Sequence, residues 1–588
     1  MIVPMKKAVI ITQAKDALSV VNSLRALGVL HVEHKQAPKS KDINSLQENL
    51  AIINQSLSIL SGIKIISKNP LMHKKAVDGQ LIARHIVDLY KRKEQLIEYL
   101  RVLSIRIKQY EEWGDFNPQD FSDLAQKNIF AGLYQIPVKQ LNQLPANIAV
   151  HQLSVKGGIA NCFLARDKII DIGVKGVPLP QMGLAKMRER KELDSQVIRG
   201  LEQQMIDHVG YLDFFQKIKS DLLKELEFQE ALSGMGQEEM FTYISGYIPF
   251  DSTEKLVAQA RQEQWALRID EPGSADNIPV LLRNPAWVRI ISPLFKFLEI
   301  LPGYHELDIS LTFLIFFSLF FGILIGDAGY GAVYFLITFF IHQRARKNKK
   351  KTSVFFLFYI LSFCAIIWGL CTGTFFGQAW VLKAGYKPWI PALNDEKVVQ
   401  RLCFFIGAVH LSIAHIWRAI LKAPALTALA DLGWGCVLWA CFFIARVLIL
   451  GDALPFFSNW LLIAGVTLVI IFTNPQRNIL KGIGEGLGTL ALSLMNNFTD
   501  VVSYIRLFAV GLAAVAISDA FNAMAISPGT GSILALLLTG TILLIGHGLG
   551  LILGPVSVLV HGVRLNVLEF SSHAGISWSG QNYKPLKT

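Results

Sequence analysis

The apolar residues of this chain are segregated, and no other feature constrains its fold as strongly. Up to Pro302 the sequence is charged and mixed; after Ile309 long apolar runs dominate, the first being "ISLTFLIFFSLFFGILIGDAGYGAVYFLITFFI". Runs of about 20 apolar residues match the hydrocarbon thickness of a bilayer. With 588 residues, 52% of them hydrophobic and 36 of them Phe, the chain reads as two parts meeting near "EILPGYHELD". Residues 1–305 form a soluble arm and residues 306–588 a membrane domain. "MIVPMKKAVIITQAKD" carries only a short apolar run ahead of polar helix. The arm is therefore expected to stay cytoplasmic. Six cysteines (Cys162, Cys364, Cys371, Cys403, Cys436, Cys441) lack CxxC or zinc-ligand spacing and read as buried small hydrophobes. The net charge of +12 fits basic cytoplasmic loops better than binding of nucleic acid.

Within the arm, three stretches keep a heptad rhythm. They are Leu46, Leu50, Ile53, Leu57 and Leu60; then Ile82, Ile86, Leu89, Leu96, Leu100, Leu103, Ile107 and Tyr110; then Ile198, Leu201, Met205, Leu212, Phe215, Leu222 and Leu226. Lys93, His208 and Lys219 interrupt the apolar slots. Such patterns argue for helices packed as a coiled coil. An antiparallel hairpin over 39–111 and 187–235 is the economical arrangement, with an ordinary helical bundle as its alternative. "KKAVIITQ", "DALSVVNSLRALG" and "VLHVEH" read strand–helix–strand, as do "FTYISGYIP", "DSTEKLVAQARQEQ" and "WALRIDE". They define a proximal α/β lobe over 1–36 and 237–285. "NIFAGLYQIP" to "NCFLARDKIIDIG" defines a distal α/β lobe over 112–186. No phosphate-binding loop, catalytic triad spacing or dinucleotide fingerprint occurs in the arm, so it reads as a scaffold. No cofactor or metal is expected.

The first apolar run would be roughly 50 Å long as one helix, more than a bilayer needs. "GDAGYG" at Gly326–Gly331 interrupts it, which predicts a helical hairpin. The basic loop "HQRARKNKKK" after it is then cytoplasmic. Further spans are expected at about 353–377, 401–421, 432–450, 457–473, 485–526 and 531–572. That makes eight spans and puts both termini in the cytoplasm, with Arg418, Lys422, Arg477 and Lys481 at cytoplasmic ends. The last two segments, near 60 Å each if wholly helical, must tilt strongly or project from the bilayer. The expected fold is mainly α: an arm of two α/β lobes joined by a coiled-coil hairpin, then a polytopic helical domain ending in two long tilted helices.

Charges inside those two helices are the chemistry-bearing residues. At about 100° per residue, Asn496, Thr499, Ser503 and Arg506 share one face, and Ala513, Ala514 and Ile517 continue it with little bulk. Arg564 shares a face with His561, Ser557, Gly554, Gly550 and Gly546, and His547 lies at its margin. The glycine ladder alone means tight helix packing. Arg564 also reads as an arginine snorkelling to the interface, Asp500 and Glu569 as interfacial carboxylates, and His547 and His561 as packing histidines. Arg506 resists such readings, with "VV" before it and "LFAVGLAAVAI" after it. An intramembrane charge marks an ion path or a buried ion pair. A guanidinium keeps its proton, so Arg506 is a fixed charge needing an anion. No acid lies at mid-depth on its own face, which predicts a partner on another chain.

"SYIRLFAVGLA" (Ser503–Ala513) and "VHGVRLNVLEF" (Val560–Phe570) resemble the paired arginine motifs of the membrane stator subunit of V-type and archaeal-type rotary ATPases, subunit I in bacteria and subunit a in eukaryotes. "FGILIGDAGYG", "GAVHLSIAH" (Gly407–His415) and "ISGYIP" resemble other parts of that family, so the resemblance covers essentially the whole chain. It implies ion translocation at Arg506, Arg564 and His561. Asn496, Thr499, Asp500, Ser503, Tyr504, His547, Ser557 and Glu569 are half-channel candidates, with Asn496, Asp500 and Ser503 on the inner route and His547 on the outer. Leu492, Ala514 and Gly554 stand where the eukaryotic pattern has a carboxylate, a histidine and a glutamate.

The resemblance implies a subunit that is not catalytic by itself, in a multi-pass cell membrane of a bacterium or archaeon. Its expected partners are a rotor ring of small c- or K-type proteolipid subunits bearing a carboxylate, peripheral-stalk coiled-coil subunits of the E and G type on the arm, and membrane lipid. The central-stalk subunit is a further expected contact in an autoinhibited state. Two rivals stand beside this reading. A secondary ion or solute transporter would often show internal repeats, and none is found here. A structural anchor carrying a coiled-coil adaptor gains nothing from the cost of the arginines.

Overall fold

The computed structural model describes residues 1–63, 78–141, 144–145, 148–167, 176–238, 240–273, 276–348, 352–475, 479–527 and 532–587, leaving aside the side chains of 479–483, 485, 486 and 489. Arg477, the Lys481 side chain and the last lysines of the basic loop, at 349–351, therefore lie outside the described residues, as does most of "DKIIDIG". The fold is mainly helical. By packing, the chain divides into two compact units: one of Met1–Ala8 with Gly246–Pro585, the other of Val9–Ser245 with Leu586–Thr588.

The chain opens with β1 (Met5–Gln13), α1 (Ala17–Leu27) and β2 (His31–Glu33). Long helices α2 (Lys41–Ser61) and α3 (Gly79–Tyr110) follow, then α4 (Pro118–Gln126), β3 (Phe130–Pro137), α5 (Val138–Leu141), β4 (Ala149–Lys156), β5 (Ile159–Arg166) and β6 (Gly176–Val177). Helices α6 (Leu184–Asp207) and α7 (Leu212–Ser233) precede β7 (Gly236–Glu238), β8 (Phe241–Pro249), α8 (Thr253–Gln262), β9 (Ala266–Asp270) and β10 (Pro279–Val280). Strands β2, β8, β1 and β9 lie in that order in one sheet, with β7 on β8. A second, antiparallel sheet runs β4–β5–β3–β6, with Tyr134 opposite Cys162.

In the unit of Val9–Ser245, α2 packs on α7, and α3 on α6 and α2. The seams use the heptad residues: Ile53, Leu60, Ile86 and Phe215 in one buried cluster, Leu89, Leu201 and Met205 in another. Lys93, the odd residue in its apolar slot, reaches Glu202 on α6 at 2.9 Å. His208 begins the short 3-10 turn His208–Tyr211 that separates α6 from α7. Lys93 thus has a partner across the helix seam, and His208 marks a break between helices.

The other unit continues through α9 (Ser292–Phe297) into α10 (Ser310–Ile325), α11 (Ala328–Lys347), α12 (Ser353–Thr372), α13 (Ala379–Lys383), α14 (Glu396–Lys422), α15 (Thr427–Ala445) and α16 (Phe457–Phe472). It ends with α17 (Ile479–Ser503), α18 (Ile505–Ile526), α19 (Ile533–Ser557), two π-helical segments and α20 (Ser571–Ala574). Among the described residues, five helices are long and apolar enough to cross a membrane: 353–372, 396–422, 427–450, 490–526 and 533–574. Ser310–Ile325 and Phe457–Phe472 are shorter apolar helices. One buried cluster ties them together through Phe313, Phe320, Leu411, Leu438, Tyr504, Leu507 and Leu565.

"GDAGYG" does break the first apolar run. Gly326 ends α10 at φ +66°, a left-handed conformation that glycine adopts without penalty. Asp327 then caps α11, accepting the Tyr330 N–H at 2.9 Å. The turn lies hard against α12, where a Cβ on Gly369 would sit 2.0 Å from Ala328 N.

The two last helices are not uniform. A single turn residue, Tyr504, separates α17 from α18. Pro555 lies inside α19 and cannot donate to the carbonyl four residues earlier. That carbonyl, Leu551 O, instead accepts the Tyr334 hydroxyl at 2.9 Å. Beyond it the chain winds as π-helix over Val558–Gly562 and Leu565–Phe570.

Candidate functional site

The π-helical winding builds the site. In an ordinary helix Arg564 and Glu569 would point well apart; where i→i+5 bonding holds, residues five apart come round together. Glu569 Oε1 lies 3.5 Å from Arg564 Nε and 3.6 Å from Arg506 Nη1. The Ser503 hydroxyl, 3.2 Å from the same oxygen, donates to it. The Glu569 side chain is 4% exposed, against 22% for Arg506 and 53% for Arg564. This corrects the sequence expectation in one respect: Arg506 meets an acid of its own chain, the buried Glu569. The trio carries two positive charges and one negative, a formal excess of one. Arg506 Nη1 and Glu569 Oε2 are buried without a hydrogen bond among the described residues. The cluster is held together by charge more than by hydrogen bonding. His561 stands within reach of the charges of both guanidinium groups.

Asp500, expected to be interfacial, accepts a hydrogen bond from His573 at 3.0 Å. His573 Nδ1 is 2.9 Å from His415 Nε2 on α14. Arg418, one turn beyond His415, donates to the His573 carbonyl at 2.9 Å and reaches Asp431 on α15 at 3.2 Å; Lys422 reaches the same carboxylate at 2.7 Å. Tyr504 is fully buried: its hydroxyl lies 2.8 Å from His410 Nδ1, and a Cβ on Gly407 would come within 2.5 Å of its ring. His410 is stacked between Phe316 and Phe570, at 3.9 and 4.4 Å. Tyr504 and His410 therefore tie α14 to the turn between α17 and α18. Asn496 and Thr499 are exposed on α17, and Ser557 is half-buried on α19.

His547 belongs to a separate, hydrogen-bonded cluster. Its Nδ1 is 2.9 Å from the Tyr330 hydroxyl and its Nε2 is 3.1 Å from Asn522 Oδ1. Tyr330 also meets Ser518 at 2.8 Å. A cavity of about 700 Å³ opens beside it, lined by Phe376, Trp380, Asn522, Thr539, Leu543 and His547. The glycine ladder is packed within the chain: side chains at 546, 550 and 554 would meet Phe521, Tyr330 and Ile325 at 2.3, 2.7 and 2.8 Å. A side chain at 554 would press on the ends of the Ile325 and Tyr334 side chains, at 2.8 and 3.1 Å, which would have to shift.

No family model matches the chain. Among curated proteins, V-type ATP synthase subunit I of Borreliella burgdorferi is 30% identical over 627 residues, covering 100% of this chain and 99% of that one. The chain belongs to the V-type ATP synthase subunit I family. V-type ATP synthase subunit I 1 of Treponema pallidum is 29% identical with both chains fully covered. A-type ATP synthase subunit I of Methanocaldococcus jannaschii is 23% identical over 93% of this chain and 85% of that one. A crystal structure of the cytoplasmic N-terminal domain of a V-ATPase subunit I covers 45% of this chain at 13% identity, but its TM-score of 0.24 carries no argument. Membership makes this a membrane-embedded subunit of a rotary ATPase, working in a complex with other ATPase subunits. The hydrogen-bonded pair His415 and His573 escaped sequence reasoning. The signal was present: both are histidines in or beside apolar segments, and His573 lies four residues after Glu569.

Proposed function

We propose that this chain is the stator of the rotary complex, forming two ion half-channels against a rotor ring and using Arg506 to discharge the ring's carboxylate. One observation carries the reading. Arg506 is part-exposed in an apolar helix, at the head of a stripe of exposed small residues, Ala509, Ala513, Ala516, Ala520 and Ala523. Small residues let helices approach closely in a membrane, so this face fits a second helix bundle sliding past. A charge on such a face needs an anion on the passing surface.

The intramolecular ion pair refines the mechanism. Glu569 neutralises one of two arginines, and the remaining positive charge is free to attract one further carboxylate. An opposite charge favours the ionised form of an arriving acid. At about 4 Å and an effective dielectric near 20 the attraction is roughly 4 kcal/mol, enough to release the bound ion. The membrane potential supplies about 2.3 kcal/mol per charge per 100 mV, a comparable amount, so the pair is separable as the ring turns. The fixed charge also bars cations from leaking between the half-channels.

Asn496, Thr499, Asp500 and Ser503 serve the inner half-channel on this reading, and His547 beside its cavity serves the outer. Ser557, His561 and Arg564 flank the path. The membrane domain crosses the bilayer eight times with both termini in the cytoplasm. The arm, with its two lobes and helical hairpin, holds the peripheral stalks and contacts the central stalk in an inhibited state; the chain performs no catalysis alone. The test is ATP-driven ion transport by the reconstituted complex carrying Arg506→Ala or Arg506→Lys. Transport is expected to vanish with assembly intact, and normal pumping in either variant removes the assignment.

A further inference from the structure

We propose that the basic end of α11 is a binding surface for anionic phospholipid of the cytoplasmic leaflet. Arg344 and Lys347 hold the phosphate, and Leu336, Ile337 and Phe340 hold an acyl chain. The choice of leaflet rests on the topology proposed above; the surface itself is independent of the role of Arg506.

The surface is one stripe of one helix. At about 100° per residue, Leu336, Ile337, Phe340, Arg344 and Lys347 fall within an arc of about 100°. All five are exposed, the apolar three at 52%, 47% and 66%. Between Phe340 and Arg344 the stripe changes from hydrocarbon to cation, as a phospholipid changes from chain to phosphate. Long basic side chains suit such a boundary, with stems on apolar surface and charged heads in the polar layer.

Neighbouring elements mark the level. His342 of α11 stacks on Phe355 in the first turn of α12, with ring centroids 5.0 Å apart. α12 runs alongside α10, where a Cβ on Gly322 would meet the Cys364 carbonyl oxygen at 2.8 Å. The starts of α10 and α12 and the end of α11 therefore share one end of the bundle. At that end the 3-10 turn Arg289–Ile291 packs on α10 and α12, and Phe295 of α9 meets Phe313 of α10 at 5.0 Å. This segment carries exposed Trp287, Arg289 and Lys296. Tryptophan and cations are the residues that gather at the cytoplasmic membrane–water boundary.

Charge selects the occupant. Among the described residues no carboxylate pairs with Arg289, Lys296, Arg344, Arg346 or Lys347. Elsewhere in the same unit Arg401, Arg418, Lys422 and Arg446 each hold an aspartate. Orienting a span requires only a count of nearby cations, and the α11 dipole favours cations on any face of its last turn. Neither requires them to continue an exposed apolar stripe. An acidic protein would use the cations alone, whereas an anionic lipid covers both halves of the stripe. Lys and Arg clustered just cytoplasmic of a span attract such lipid.

The test uses the complete complex in phosphatidylcholine vesicles containing a photoreactive phosphatidylglycerol, with the labelled peptides mapped. Residues 336–347 should be labelled, and unlabelled phosphatidylglycerol should compete where phosphatidylcholine does not. Salt at 1 M, where the Debye length is about 3 Å, should remove that preference. These arms need no variant. Arg344→Gln combined with Lys347→Gln should cut the labelling at least about fivefold. Lys186→Gln with Lys191→Gln, which removes exposed cations of α6 in the arm, should leave it unchanged. Equal competition by phosphatidylcholine, or undiminished labelling of the Arg344/Lys347 double variant, overturns the proposal. So does a stripe that is labelled in the isolated full-length chain and shielded in the complete complex, which would identify a protein as the occupant. Labelling only by probe confined to the leaflet opposite the ATPase head overturns the leaflet assignment. Failure of the stator reading is seen separately, as normal pumping by Arg506→Ala, and leaves the labelling result intact.

Discussion

Around Arg506 the membrane half pairs full charges; around His547 it joins polar side chains by hydrogen bonds. The first cluster sets one carboxylate between two guanidinium groups at 3.5 and 3.6 Å. The second links a tyrosine, a serine, a histidine and an asparagine at 2.8 to 3.1 Å. Their energetics differ in kind. Buried charges lose hydration that their attraction barely repays, so removing one member strands the rest. Neutral polar groups lose less, and each hydrogen bond contributes about 1 kcal/mol net. A site that must hold and release an ion benefits from the first kind of balance. A contact that only has to hold helices together benefits from the second.

The comparison breaks first at Arg506. Replacing it with Lys keeps the charge but loses the forked geometry, and transport should still be abolished, read as ATP-driven ion uptake. Glu569→Gln comes next. It leaves two arginines without an acid, so thermal unfolding of the purified complex should report a loss of about 3–5 kcal/mol; a loss under 1 kcal/mol would mean that the trio is solvated. Gly554→Val tests the packed face, where a Cβ would meet Ile325 at 2.8 Å. Overpacking there should cost about 1–3 kcal/mol, with activity falling in step with stability. Tyr330→Phe should have the smallest effect, about 1 kcal/mol by the same measurement. If its effect matched that of Glu569→Gln, the two clusters would not differ as described.

Heptad spacing in the arm placed Ile53, Ile86, Leu201 and Phe215 at helix seams, because that rhythm is a local property of the chain. It left Lys93 unexplained, since Glu202 is distant in sequence and close only when α3 packs on α6. In the membrane half, periodicity at 100° per residue put Arg506 on an open face. The same arithmetic separated Arg564 from Glu569, because no sequence rule announces a π-helical turn. Pro555 was the visible sign of irregular winding. The Tyr334 hydroxyl that satisfies its orphaned carbonyl comes from a helix more than 200 residues earlier.

By itself, then, the sequence determined the segregation of apolar residues after Ile309, the helical rhythm of the arm and the presence of a permanent charge inside a late apolar helix. Each follows from composition and spacing along the chain. Tertiary structure alone decided which acid faces that charge, how closely position 554 packs on Ile325, and that His415, His573 and Asp500 form a line. Those facts depend on distances between segments far apart in sequence, set by helix winding and packing.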